Sequence, residues 1–527
     1  MRSAPFATTY STRGMVCAVD HLAAEAGVGV LRAGGNAVDA AIATNAVLAV
    51  TTQHMCGLGG DLWALVHTPG ASAPVAINAS GRAGSGADPD RLRAEGHQLM
   101  PLFEDIRSVP VPGCVDGWCL LSAKLGRLPL ADVLAPAISY AAEGFPASPT
   151  LARAAPMVAS RPGGEAFRTA KHPGAVVRRP GVARTLQAIA TDGRAAFYDG
   201  EFGRGLLSLG KGEYDAADLA TVQADEVQPV RVEAWDRQLW TAPPNSQGYL
   251  SLAAAWIAAG LPLPDDPDDV GWAHLLVEAA RMASFDRDDV LHEHADGAAL
   301  VASERLGPRR ERISSSRAAE LPGETYRGGG TIYLCAVDAD RMGVSLIQSN
   351  AAGFGSLIAE PSTGIFLQNR GIGFSLRPGH PSEYGARRRP PHTLSPALVT
   401  TGTDALDMVI GTMGGDTQPQ VILQLLARLL RDTDDPGSAI AAPRWVLSAP
   451  PPGGNGFDTW QTAGTVQVHL ENEAPAEWDR LASMGHDVVR HPPLGYNVGH
   501  SHVIAVRGDS LEGASDPRAL AGRAAGW

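Results

Sequence analysis

The chain has 527 residues, 44% hydrophobic and 19% charged, with a formal net charge of −13. That is enough material for one large core or for two or three domains. The acidic balance and the lack of a Lys/Arg block exclude a phosphate track, so no nucleic-acid partner is expected.

Helical spacing of Leu22, Ala26, Val30 and Leu31 predicts a helix over 21–31 that stops at Gly34-Gly35-Asn36, with a second helix through Val38, Ile42, Ala46 and Ala49. The apolar stretch near Ala40–Val50 is broken by Thr44 and Asn45, and Met1 to Thr12 lacks a charged-then-apolar pattern. No membrane span and a cytoplasmic location are therefore expected. Met55 to Asp61 reads as a glycine-rich turn before a strand at 62–66, and from Pro110 to Ala142 a Pro/Gly turn precedes two helices. A Pro/Asp-rich connector at 262–269 leads to a helix over 272–285, and 307–330 reads as an exposed polar loop. Strands are then expected at 331–337, 344–349, 364–368, 396–400 and 408–410, followed by an amphipathic helix from about 418 to 430. Arg387-Arg388-Arg389, the one basic cluster, reads as a solvated loop. Five scattered cysteines without C-x-x-C, and 15 histidines without an H-x-x-x-H pair beside a carboxylate, indicate neither disulfides nor a metal. No cofactor is expected.

The run Gly328-Gly329-Gly330-Thr331 places a threonine at the head of a strand that turns at 338–343 and returns as Val344-Ser345-Leu346-Ile347. Glycine at 330 admits a bent backbone and leaves its carbonyl open to attack. Threonine is β-branched, so few rotamers compete for its hydroxyl. An ordinary hairpin has the same letters. The chemical alternative is a threonine whose hydroxyl cuts the preceding peptide bond, after which the freed α-amine serves as base for that hydroxyl.

Several segments, in order, resemble the γ-glutamyltransferase (glutathione hydrolase) family of N-terminal-nucleophile hydrolases. They are Leu31-Arg32-Ala33-Gly34-Gly35-Asn36-Ala37-Val38-Asp39, Gly57-Leu58-Gly59-Gly60-Asp61, Val111-Pro112-Gly113, Pro243-Pro244-Asn245-Ser246-Gln247-Gly248, Ala283-Ser284-Phe285-Asp286-Arg287, Thr331 to Gly355, Met413-Gly414-Gly415 and Gly513-Ala514-Ser515-Asp516-Pro517-Arg518. The resemblance implies an α+β fold, a four-layer αββα sandwich. It also implies a zymogen that cuts itself between Gly330 and Thr331 into a large chain, 1–330, and a small chain, 331–527, which stay together as a heterodimer. Thr331 would be the nucleophile, Ser349 the hydroxyl that steadies it, and the N–H groups of Gly414 and Gly415 the oxyanion hole. Read without the family, Gly414-Gly415 is a strand-to-helix turn and Ser349 a strand serine.

The chain departs from the family where a γ-glutamyl head is gripped. The family arginine falls at or near Ser80, with Arg82 two residues on, and the asparagine falls at Ala351, beside Asn350. The acid that meets the α-ammonium falls at Gly373, and the serine pair at His392-Thr393. A buried ammonium without an acid is costly, so glutathione is expected to be a poor substrate. Arg82, Asn350, Arg370, His392 and Thr393 are the candidate substrate-binding residues, suited to an anionic or carbonyl-bearing small molecule; Arg82 and Arg370 also fit structural ion pairs. The expected activity is hydrolysis of an activated carbonyl substrate by way of an acyl-threonine. The resemblance implies a role in actinobacterial secondary metabolism. The alternatives are C–C bond hydrolysis in 4-alkyl-proline (antibiotic precursor) biosynthesis, as in a divergent actinobacterial branch of the family, or ordinary γ-glutamyl hydrolysis and transfer. The opposing class is an uncleaved, non-catalytic scaffold, against which the intact Gly330-Thr331, Ser349 and Gly414-Gly415 argue.

Overall fold

Alternate residues of the strand Gly330–Val337 face two different cores. Ile332, Leu334 and Ala336 pack with the helices Ala37–Thr51 and His21–Arg32, whereas Tyr333, Cys335 and Val337 pack with Trp240, Leu398, Val409 and Ile504 of a second sheet. This period of two, with both faces buried, is what a strand at the centre of a stacked sheet requires.

The computed structural model describes residues 7–321, 330–448, 466–491 and 498–527. Two seven-stranded sheets dominate it. The first runs, in spatial order, Arg523–Gly526, Met15–Ala18, Gly330–Val337, Gly343–Ala351, Asp61–His67, Val75–Ala79 and Asp225–Val227. The second runs Thr9–Ser11, Ser510–Ser515, Ser501–Arg507, Leu406–Thr412, Ala397–Thr400, Arg237–Thr241 and Val230–Ala234. Neighbours in both sheets pair antiparallel. Helices Tyr249–Ala259, Val270–Ser284 and Gln418–Arg431 cover the outer face of the second sheet. The result is the αββα sandwich, with one core between the sheets and one under each helical layer.

The glycine-asparagine signature at 34–36 is a helix cap. Asn36 accepts the N–H groups of Val38 and Asp39, while Asp39 accepts the Asn36 N–H in return. Asp338, in the turn after the Thr331 strand, accepts the N–H of Ala37, so the cap is tied to the hairpin it supports. Helix Ala37–Thr51 is buried along its whole length, which explains why its sequence is apolar on every side.

Two loop expectations change. Residues 303–311 form a helix rather than part of an exposed loop: Leu306 is buried, and Arg305 and Arg309 both pair with Asp286. Tertiary anchoring outweighs the proline at 308. The cluster at 387–389 is a loop, but only Arg387 in it is exposed. Arg389 is buried across Asn78, Ser80 and Asp225, while Arg387 pairs with Asp218 and Arg388 with Glu293. Gly328 and Gly329, two of the three hinge glycines, lie outside the described residues.

Candidate active site

Asp61, Ser349 and Thr331 stand side by side at one end of the gap between the sheets. Ser349 lies directly opposite Asp61 in the register of their strands, so the two side chains share a face, with β-carbons about 5 Å apart. Asp61 has the parity of Trp63 and Leu65, and Ser349 that of Ile347, all residues of the inter-sheet core. The polar cluster therefore caps an apolar gap. Between Gly330 and Ile332 the pairing with the Ser349 strand shifts register, which leaves the Gly330–Thr331 peptide out of the regular ladder.

Two hydroxyls converge on one carbonyl. The Thr331 hydroxyl lies 2.7 Å from the Gly330 oxygen and 3.2 Å from Ser349 Oγ. Ser349 donates to the same Gly330 oxygen at 2.7 Å, and its own oxygen accepts the Ala351 N–H at 2.7 Å. Thr331 is 1% exposed. Beneath Ser349 only glycine fits at position 60, where a β-carbon would press into the Ser349 carbonyl and Asn350 Oδ1.

A second cluster adjoins the first. Asp61 Oδ2 accepts Arg370 Nε at 2.8 Å and His392 Nε2 at 2.9 Å, and Arg370 Nη1 donates to Thr393 Oγ1 at 2.9 Å. His392 Nδ1 accepts the Leu394 N–H, so the ring proton sits on Nε2. Burial, aided by the charge of Arg370, pushes the His392 pKa down to about 4. Burial alone would raise the Asp61 pKa, but Arg370 and His392 outweigh it and hold the carboxyl below its usual range. The cluster thus holds one carboxylate, one guanidinium and one neutral imidazole, with no net charge.

Gly414 and Gly415 reach this end of the sandwich through a chain of hydrogen bonds. Gln247 Nε2 bridges the carbonyls of Thr393 and Gly415, and Arg287 holds both Gln247 Oε1 and Asp416. The segments around Gln247 and Arg287 thus act together to buttress the glycine pair. Both glycines have positive φ, 144° and 61°, a conformation open to few other residues, and helix Gln418–Arg431 begins just beyond them.

The structure brings Thr331, Ser349, Arg370, His392 and Thr393 together, with Gly414 and Gly415 linked to them. It does not bring Asn350 or Arg82. Asn350 has the opposite parity to Ser349 and donates to the Gln53 carbonyl on the helical side. Arg82 is committed to Asp225 and the Val222 carbonyl at the sheet edge, a structural ion pair in place of a substrate contact. Asp61 is the residue that sequence reasoning missed. The available signal was an acid, in step with Trp63 and Leu65, at the head of an otherwise apolar strand. Gly373, at the place of the family acid, has its backbone against Pro391, whose carbonyl oxygen would lie 2.5 Å from an added β-carbon.

A strand-leading threonine under an αββα sandwich, with a neighbouring hydroxyl on the preceding carbonyl, defines an N-terminal-nucleophile hydrolase. Residues 23–527 match the model of the gamma-glutamyltranspeptidase family, and the chain belongs to that family as an enzyme of its hydrolase and transferase class. It is 36% identical to the oxamate amidohydrolase proenzyme of Klebsiella pneumoniae, over 98% of this chain and 99% of that one. It is likewise 36% identical to the glutathione hydrolase-like YwrD proenzyme of Bacillus subtilis, over 82% of this chain and 85% of the other. Among solved structures, a cephalosporin acylase from Bacillus halodurans superimposes with a TM-score of 0.89 at 32% identity, covering 100% of this chain and 98% of that one. No helix of the described residues is long and apolar enough to cross a membrane.

Proposed function

We propose that the chain is a self-processing threonine amidohydrolase for a small acyl substrate. The observation that carries this reading is the Gly330 carbonyl oxygen held by the hydroxyls of both Thr331 and Ser349. In the first step Thr331 Oγ bonds to the Gly330 carbonyl carbon, the C–N bond breaks, and the hydroxyl proton passes to the departing nitrogen. The Ser349 hydroxyl supports the oxyanion. Water then opens the resulting ester, leaving a carboxylate on Gly330 and a free α-amine on Thr331. That amine, with an intrinsic pKa of about 7.7–8.0, suits a general base near neutral pH. It takes the hydroxyl proton as Oγ attacks the substrate carbonyl. The N–H groups of Gly414 and Gly415 receive the oxyanion, the amine leaves carrying a proton, and water resolves the acyl-threonine.

A short acyl group is favoured over γ-glutamyl because the position of the ammonium-binding acid is Gly373, with no room for a side chain. The similarity to an oxamate amidohydrolase along its full length supports the same choice. Mass spectrometry of the purified protein should find two co-purifying chains, the smaller beginning at Thr331, and Thr331→Ala should give one uncut, inactive chain. The mature enzyme should release ammonia from oxamate faster than it releases nitroaniline from γ-glutamyl-p-nitroanilide. An intact active chain, or the reverse preference, would refute the reading.

A further inference from the structure

We propose, resting on the reading just given, that Asp61 is a positioning residue. It converts Arg370 from an anion receptor into a directional donor for an oxygen next to the scissile carbonyl. Asp61 and Arg370 are 0% and 1% exposed and hold each other through Nε and Oδ2. With Nη1 fixed on Thr393, both the tilt and the rotation of the guanidinium plane are set. One nitrogen is left over. Nη2 is buried and meets no acceptor, and on the carboxylate Oδ1 meets no donor. Buried polar atoms of this kind are costly and few in folded proteins, and where they persist they call for a partner. This pair lies beside Ser349, whose hydroxyl touches Thr331.

The charge count decides what that partner is. Asp61 cancels Arg370, and His392 is neutral, donating to Asp61 through Nε2. The subsite therefore offers one aimed N–H rather than a net positive field, and it takes a carboxylate or a neutral carbonyl oxygen with similar strength. The substrate class is a short α-dicarbonyl amide: the Thr331 hydroxyl attacks one carbonyl, and Arg370 Nη2 holds the oxygen on the adjacent carbon.

The test uses the mature two-chain enzyme with oxamate as the anionic probe and oxamide as the neutral one, read by ammonia release and by ligand-induced thermal shift. Wild type should accept both within about tenfold in kcat/KM. In Asp61→Asn the amide oxygen can accept the same two hydrogen bonds while one positive charge is uncovered. Preference for oxamate over oxamide should then rise about tenfold or more, chiefly through KM. Asp61→Leu alone strands a buried guanidinium and risks misfolding, so it is paired with Arg370→Met. The double variant, apolar at both sites, should fold and cut itself yet handle both probes about thirtyfold worse or more. An unchanged oxamate-to-oxamide ratio in Asp61→Asn overturns the proposal. So does a double variant that matches wild type, or a wild type that recognises neither probe. Wild type that is not cut at Thr331 refutes the parent reading instead.

Discussion

Ser349 donates to the Gly330 carbonyl and is itself held by the Ala351 N–H, so its hydroxyl cannot swing away without losing both contacts. Ser349→Ala should slow self-cleavage by about 100- to 1,000-fold, the usual loss for one oxyanion donor, and a time course of band splitting on denaturing gels measures it. Cleavage at the wild-type rate would leave Ser349 no part in the step. Gly373→Asp replaces a glycine with the family's acid, yet its β-carbon would sit 2.5 Å from the Pro391 carbonyl. The expected outcome is a loss of about 1–3 kcal/mol in thermal or urea unfolding with no gain on γ-glutamyl-p-nitroanilide; restored γ-glutamyl turnover would show the loop yielding freely. At this scale the strand-leading Thr331 and its contact with the Gly330 carbonyl were legible in the sequence because glycine, threonine and strand are neighbours in the chain. Asp61 with Arg370, and Ser80 with Arg389, are separated by 309 residues in each case, and no local pattern announces such a pairing.

The elements that carry the site were easier to foresee than the contacts between them. The Thr331 hairpin, the helix Ala37–Thr51 and the helix Gln418–Arg431 are each legible in the apolar pattern of their sequences. The helix 303–311 was hidden by Pro308 and by charges whose partner, Asp286, lies on another element. Gln247 shows how one element holds another: it lies just before helix Tyr249–Ala259 and pins the Gly415 turn ahead of helix Gln418–Arg431. Gln247→Leu keeps the volume but removes the bridge and leaves Arg287 Nε without its acceptor. On the proposed mechanism the bridge holds the turn that supplies the oxyanion donors, so kcat should fall about tenfold or more while KM changes little. Steady-state kinetics on the mature enzyme decides it, and an equal fall in both constants would place Gln247 elsewhere in the cycle.

Across the whole molecule, burial has made several histidines hard to protonate. The pKa values of His54, His486 and His502 are pushed down to about 3, and those of His392 and His500 to about 4, in each case chiefly by burial. Their unfolded values lie near 6.5, so between roughly pH 4 and 6.5 the unfolded chain binds more protons than the folded one. The stability these groups contribute is complete above pH 6.5 and is lost as the pH falls toward 4, at up to about 1.4 kcal/mol per pH unit for each. Urea midpoints should therefore drop steeply from pH 7 to pH 5, and a flat profile across that interval would contradict the burial described.

The order of strands in the two sheets bears on the life of the protein after the proposed cut. In the first sheet the Thr331 hairpin is inserted between Met15–Ala18 and Asp61–His67. In the second, four strands from beyond residue 331 are flanked by Thr9–Ser11 on one side and Arg237–Thr241 on the other. One continuous chain can thread this arrangement as a unimolecular process. Once the bond before Thr331 is open, the same arrangement can be regained only by a meeting of two molecules, each lacking the strands that complete its sheets. Refolding of the uncut Thr331→Ala chain should proceed at a rate independent of protein concentration, whereas the matured pair should recover more slowly on dilution and lose its fragments to aggregation. The proposed cut would thus make assembly irreversible in practice: the enzyme would be put together once, and its persistence thereafter would depend on how slowly it comes apart.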